Sequence, residues 1–190
     1  DLTEQQQGAV KQALLHKVSV LTGGPGCGKT TTLRMVIAAL DKLGFVVALA
    51  SPTGRAAKRL AEATGRQAQT IHRLLGYSPG EGFTHDEDAP LKLDMLIVDE
   101  ASMIDLHLFE DLLRALPPEA HLMLVGDVDQ LPSVGAGNVL RDVIDSGLVE
   151  VTRLDAIFRQ REDSHIITNA HRINQGELPL MDNNSSDFYF

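Results

Sequence analysis

Residues 23 to 30 read Gly23-Gly24-Pro25-Gly26-Cys27-Gly28-Lys29-Thr30, which fills the pattern G-x-x-x-x-G-K-[ST]. Glycine lets a backbone turn tightly enough for successive N–H groups to face one anion. Lys29 then has the reach to meet β- and γ-phosphates, and the Thr30 hydroxyl suits Mg²⁺. The context fits. Val18 to Thr22 is a short β-prone run before the loop, and Leu33, Val36, Ile37 and Leu40 recur at helical spacing after it. With background glycine near 7%, a chance match in a chain this long is on the order of 1%. Nucleotide binding is therefore the expected property, with Gly23, Gly24, Pro25, Gly26, Cys27, Gly28, Lys29, Thr30 and Thr31 as the binding segment.

The 190 residues suffice for one sizeable core. No apolar run reaches the length of a membrane span, and no basic-then-apolar signal segment opens the sequence. A single cysteine excludes an internal disulfide and fits a reducing compartment, so the expected location is cytoplasmic, with no membrane partner. The net charge of −9 argues against a blanket nucleic-acid binder. Between Arg55 and Arg73, however, five basic residues face a single acid, Glu62. Such a local patch on an acidic body can bind phosphates, although a solvated helix face would look the same.

Strands and helices alternate along the chain. Thr3 can cap a first helix that ends near His16, and Val18 to Leu21 is the first strand. Phe45 to Ala50 reads as a continuous buried strand, and Thr53 can cap a helix with Ala56, Ala57, Leu60 and Ala61 inside and Arg55, Lys58 and Arg59 elsewhere on its surface. Thr70 to Leu75 is a short helix, and 77–92 a polar surface loop. Strands follow at Met95–Val98, Leu122–Val125 and Leu148–Thr152, with helices around Leu108–Leu116, Asn138–Ser146 and Ser164–Gln175. This alternation predicts an α/β fold, a mostly parallel sheet with helices on both faces. Residues 1–178 read as one domain. Residues 179–190 read as a polar tail leading into an aromatic run that looks like an element cut through. Ligands of such sheets sit beyond the carboxyl ends of the strands. Asp99-Glu100 and Asp127 lie there: Asp99 is placed to hold Mg²⁺, Glu100 to orient and deprotonate a water, and an amide such as Gln130 to sense the terminal phosphate.

Seven segments in order resemble the motifs of superfamily 1 helicases. They are Leu2-Thr3-x-x-Gln6, the glycine loop, Ala50 to Ala57, Thr70 to Leu75, Ile97 to Met103, Gly126-Asp127-x-x-Gln130-Leu131-Pro132 and Ile157-Phe158-Arg159-Gln160. The nearest resemblance is to the RecD-like branch, which includes the exodeoxyribonuclease V alpha subunit and stand-alone relatives, and it covers residues 2 to about 176. It implies a RecA-like P-loop NTPase domain, the first of two in a motor that uses Mg²⁺ with ATP and moves on single-stranded DNA, 5′-to-3′. By position, Gln6 would read adenine, Lys29 and the loop would hold phosphates, Thr30 and Asp99 would hold Mg²⁺, and Glu100 would be the base. Gln130 would couple the γ-phosphate to the DNA path, and Arg159 would reach that phosphate as the cleft closes. Pro52, Thr53, Arg55, Thr70 and His72 would line the DNA track, where the basic patch lies.

The resemblance also implies a second RecA-like domain, which nothing after Gln175 supplies, and leaves open nuclease-complex subunits as partners. Cys27 stands where relatives often carry Thr; beside phosphates its thiol is an expected alkylation target. With two tyrosines and no tryptophan, base-stacking surfaces are expected to be scarce. Two other readings stand beside the DNA motor: a non-catalytic, nucleotide-responsive docking or regulatory module, and a motor directed to RNA. The intact Asp99-Glu100 pair with Gln130 and Arg159 speaks against the first.

Overall fold

The computed structural model describes residues 4–154, 169, 172–173 and 175–180. Its centre is a six-stranded sheet in the order β3-β2-β4-β5-β1-β6. The strands are β1 (Val18–Thr22), β2 (Val47–Ser51), β3 (Gln69–Thr70), β4 (Met95–Val98), β5 (His121–Gly126) and β6 (Glu150–Arg153), and every ladder is parallel. The expected parallel α/β sheet is therefore present.

The strands alternate their side chains between two cores, as the two-residue period of a strand requires. Leu21, Met95, Ile97, Met123 and Val125 enter one core with Leu33, Val36, Ile37 and Leu40 of α2 (Lys29–Lys42) and Leu60 of α3 (Gly54–Thr64). Val20, Leu96, Val98, Leu122 and Leu124 enter the other with Ile71 of α4 (Ile71–Leu74), Leu108 and Leu112 of α5 (Leu106–Ala115) and Leu140 of α6 (Val139–Asp145). Helix α1 (Glu4–Leu15) adds Ala9 and Ala13 to the first core. Burial on both faces explains why β4 and β5 read as unbroken apolar runs rather than alternating ones.

Short-range chemistry fixes the helix starts. The side-chain oxygens of Thr53, Thr70 and Asp105 accept the backbone N–H groups of Ala56, Arg73 and Leu108 at 3.3, 3.1 and 2.8 Å. Each satisfies a donor that the first helical turn leaves over.

Strand boundaries differ from the expected ones for visible reasons. β2 begins at Val47, not Phe45, because the Phe45 N–H closes the end of α2 on the Leu40 carbonyl at 3.1 Å. Val46 is held sideways by Asp94, whose Oδ2 accepts its N–H at 2.7 Å. β6 begins at Glu150, since Gly147 turns with φ 66° and leaves Leu148 exposed. Two elements were not anticipated: the two-residue β3 and a 3₁₀ turn at Ala101–Met103. The loop from 77 to 92 is tied down by an antiparallel bridge between Ser78 and Gly82 and by the Thr84 hydroxyl, which donates to the Gly76 carbonyl at 3.0 Å. The expected helix cap at Thr3 and most of the helix at 164–175 lie outside the described residues.

Leu96 is fully buried at the middle of the sheet, whereas Leu131 is 87% exposed. Leu96→Ala should lower the unfolding free energy by about 2–5 kcal/mol, and Leu131→Ala should change it by less than about 0.5 kcal/mol. Urea denaturation of both variants checks this; equal losses would contradict the core described here.

Candidate functional site

Because the ladders are parallel, the carboxyl ends of β1, β2, β4 and β5 share one rim. The glycine loop leaves β1 and closes on its own lysine: Lys29 Nζ donates to the Gly23 carbonyl and, at 2.9 Å, to the Gly24 carbonyl. Gly28 starts α2 with φ 89°, and Gly26 has φ 76°. Two glycines are also needed for space. A Cβ on Gly23 would lie 2.5 Å from Cys27 Sγ and 2.6 Å from the Leu154 carbonyl oxygen. A Cβ on Gly28 would lie 2.9 Å from Gln6 Nε2, so the buried Gln6 amide packs directly on the loop.

A cleft of about 210 Å³ opens beside the loop. Lys29, Thr30, Asp99, Glu100, Asp127 and Gln130 line it over an apolar floor of Leu33, Leu60 and Val125. The expected residues from three separate strand ends thus meet in one place. Thr31 is exposed on α2 and is not part of this wall. Arg159 lies outside the described residues.

The acidic pair is held tightly. Asp99 donates its N–H to the Ala50 carbonyl at 2.9 Å, and its own carbonyl accepts the Ser51 hydroxyl at 3.2 Å. Burial pushes the Asp99 carboxyl above its ordinary range; an N–H from Glu100 and the Lys29 ammonium oppose this, and the Glu100 carboxylate adds to it. Glu100 has φ 56°, the one left-handed non-glycine among the described residues. That conformation is costly for a residue with a long side chain. It turns the chain into the 3₁₀ segment, which packs on Gly126: a Cβ there would lie 3.3 Å from the Ala101 and Ser102 amide nitrogens and 2.8 Å from Leu140 Cδ2. Buried Asp127 accepts the Asp129 N–H at 3.0 Å, and its carbonyl accepts the Gln130 N–H at 3.2 Å. It therefore shapes the turn that presents Gln130.

Thr30 and Asp99 are the residues that could hold a hard cation here. Both offer oxygen, both line the cleft, and the enclosed Asp99 carboxyl is a group whose charge a cation would stabilise.

Three features were not legible in the sequence. Arg59 of α3 lines the cleft, although it was expected only on the helix's outer surface; its neighbour Leu60 packs in the core and brings Arg59 to the cleft's flank. Cys27 is 1% exposed and donates to the Gly24 carbonyl at 2.9 Å. Burial pushes its thiol pKa up. The third is an aromatic cluster: His72, Tyr77 and Phe83 lie with ring centroids 5.2 to 5.8 Å apart.

The other expected strand-contacting residues share the rim. Ser51 and Thr70 are neighbours in the β2–β3 ladder, so Pro52, Thr53 and Thr70 lie side by side at its end. Arg55 and His72 are exposed on the helices that follow. Both threonine hydroxyls are occupied as helix caps.

A family model described as an AAA domain matches residues 6–136. The ATP-dependent RecD2 DNA helicase of Deinococcus radiodurans is 46% identical over 178 residues, spanning 94% of this chain and 24% of that protein. The RecBCD enzyme subunit RecD of Mycobacterium tuberculosis is 42% identical over 185 residues, spanning 85% of this chain and 32% of that subunit. Among solved structures, Bacteroides Pif1 bound to ssDNA aligns with a TM-score of 0.65 at 25% identity, over 94% of this chain and 47% of that one. The chain thus spans a quarter to a third of the length of these curated relatives.

Asp99→Asn tests the electrostatics. A carboxyl whose pKa is raised by folding favours the folded state most when protonated, and that advantage is lost as pH rises through the raised value. The variant should therefore melt above the parent at pH 7.5, with the gap narrowing towards pH 4.5. Adding Mg²⁺ with an ATP analogue should raise the parent's midpoint more than the variant's. Thermal melts at the two pH values check both; a variant that melts below its parent at pH 7.5 refutes the burial penalty.

Proposed function

The chain belongs to the AAA-domain family matched over residues 6–136 and is the first RecA-like motor domain of a RecD-like superfamily 1 helicase; from that premise we propose that it binds and hydrolyses ATP with Mg²⁺ and tracks on single-stranded DNA. The observation that carries this is the meeting of Lys29, Thr30, Asp99, Glu100 and Gln130 in one cleft. Relatives named as DNA helicases, and a similar structure bound to ssDNA, support DNA rather than RNA as the track.

In this reading the loop amides and Lys29 hold the phosphates, and Gln6 abuts the loop to read the base. Thr30 and Asp99 hold Mg²⁺, which supplies charge neutralisation between the β- and γ-phosphates when bound. Glu100 orients the attacking water and accepts its proton. Gln130, on the turn shaped by Asp127, contacts the terminal phosphate. Arg159 completes the site as the cleft closes. Pro52, Thr53, Arg55, Thr70 and His72 line the strand track, with the capped N-termini of α3 and α4 beside it. The eleven-residue α3 presents an N-terminus that favours backbone phosphates, and the contacts are salt-dependent.

In this reading residues 1–178 are the ATP-binding motor domain and 179–190 a tail leading into a next element. A second RecA-like domain completes the motor, travel is 5′-to-3′, and the setting is cytoplasmic DNA recombination and repair, alone or with nuclease-complex subunits. Without the second domain, turnover should fall by about 10³–10⁵ if that domain supplies a phosphate-contacting arginine.

Two substitutions separate binding from chemistry in the complete enzyme. Lys29→Ala should abolish binding of a fluorescent ATP analogue. Glu100→Gln should leave that binding within about threefold and reduce DNA-stimulated turnover by about 10²–10⁴. Normal hydrolysis by Glu100→Gln would refute the assignment of the base, and an unstimulated parent would refute the motor.

A further inference from the structure

We propose that Arg59 is a phosphate-binding residue of this cleft, contacting the terminal phosphate of the nucleotide from α3 on the flank next to Lys29. The inference rests on the ATPase reading above and adds a residue to it.

Arg59 sits on a rigid support. Ala56, Ala57 and Leu60 bury the inner face of α3, Thr53 caps its start, and Gly65 ends it in a left-handed turn. From this helix Arg59 lines the cleft together with Lys29, Thr30, Asp99 and Glu100. Two nearby basic residues already have partners. Lys58 pairs with Glu62 at 4.0 Å, and Arg66 holds the Asp41 carboxylate. Among the described residues Arg59 makes no hydrogen bond or ion pair, and its fork of N–H donors faces the cleft it lines.

The cleft has use for such a group. Three carboxylates, Asp99, Glu100 and Asp127, line it, and the other cation there, Lys29, is tied to the Gly23 and Gly24 carbonyls. A nucleotide brings further negative charge. A phosphate oxygen pair matches the planar guanidinium bidentately, which an ammonium cannot reproduce. In the reading above Asp99, Glu100 and Gln130 serve the water and the last phosphate, and Arg59 lines the same cleft, so the terminal group is the one we assign to it. The competing role is a contact to the DNA backbone, as proposed for Arg55 one turn earlier on the same helix.

The test uses the complete enzyme that carries this domain, with Arg59→Ala and Arg59→Lys. Three affinities are measured: a fluorescent ATP analogue without DNA, the matching ADP analogue, and oligo-dT without nucleotide. Steady-state ATPase at saturating oligo-dT gives KM and kcat. Arg59→Ala should weaken the ATP analogue about tenfold, the loss expected for one charge-assisted contact. ADP and oligo-dT affinities should stay within about twofold, and Arg59→Lys should recover part of the loss. If Arg59→Ala weakens oligo-dT binding while leaving the ATP analogue and KM unchanged, Arg59 is a strand contact and the proposal falls. It also falls if no affinity changes, or if ATP and ADP weaken alike. Failure of the ATPase reading shows separately, as a parent enzyme that neither binds nor hydrolyses ATP.

Discussion

Parallel pairing is the constraint on which the rest of this molecule depends. β1 lies between β5 and β6, and β4 between β2 and β5, all running the same way. Each strand therefore ends at the same rim, and residues far apart in sequence arrive within one cleft. Lys29 and Thr30 follow β1, Asp99 and Glu100 follow β4, and Asp127 and Gln130 follow β5. A parallel sheet needs crossover helices on its faces, and the two cores supply the packing that holds the strand ends in place. Site geometry is thus a consequence of core formation.

The rim itself is assembled at a cost to local stability. Gly23 and Gly126 admit backbone or side-chain neighbours where any Cβ would collide. Glu100 is kept in a left-handed conformation that its side chain disfavours, and Asp99 is enclosed where burial disfavours its charge. These features occur together beside the cleft. The ATPase reading proposed above would use them as a phosphate loop with room for close backbone neighbours and as a partly desolvated carboxylate beside a second acid. The flanking cores, with Leu96, Ile97, Leu122 and Leu124 buried, offset the expense.

Much of this was legible because the informative signals were local. The glycine loop, the apolar runs of β4 and β5 and the caps at Thr53 and Thr70 are each read from a few adjacent residues, and the structure has them within a residue or two. What was not legible depends on distant partners. Two-residue β3 is too short to show a period and exists only because β2 offers it an edge. Phe45 looked like strand but serves the end of α2. Arg59 belonged to a helix whose basic residues all looked alike in sequence; only the packing of Leu60 decides which of them meets the cleft. The buried thiol of Cys27 is likewise a property of Leu154 and the folded loop, which no spacing rule contains.

The rim also decides where motion can occur. The end of β2, which carries Pro52 and Thr53, is tied to the end of β4 by the Asp99 N–H on the Ala50 carbonyl and the Ser51 hydroxyl on the Asp99 carbonyl. The end of β4 is in turn packed on Gly126 through the 3₁₀ turn. Packed interiors of this kind do not deform continuously; they move as bodies or switch between discrete arrangements. The proposed strand track and the proposed ATPase cleft therefore shift together. A nucleotide bound here cannot slide Thr53 along a DNA strand relative to Asp99 without breaking the sheet. Movement along a strand, in the motor proposed, must come from a second body that approaches and leaves this one, with the terminal phosphate as the bond between them. Gln130 and Arg59, both exposed at the cleft's edge rather than packed beneath it, are the described side chains best placed to register that approach.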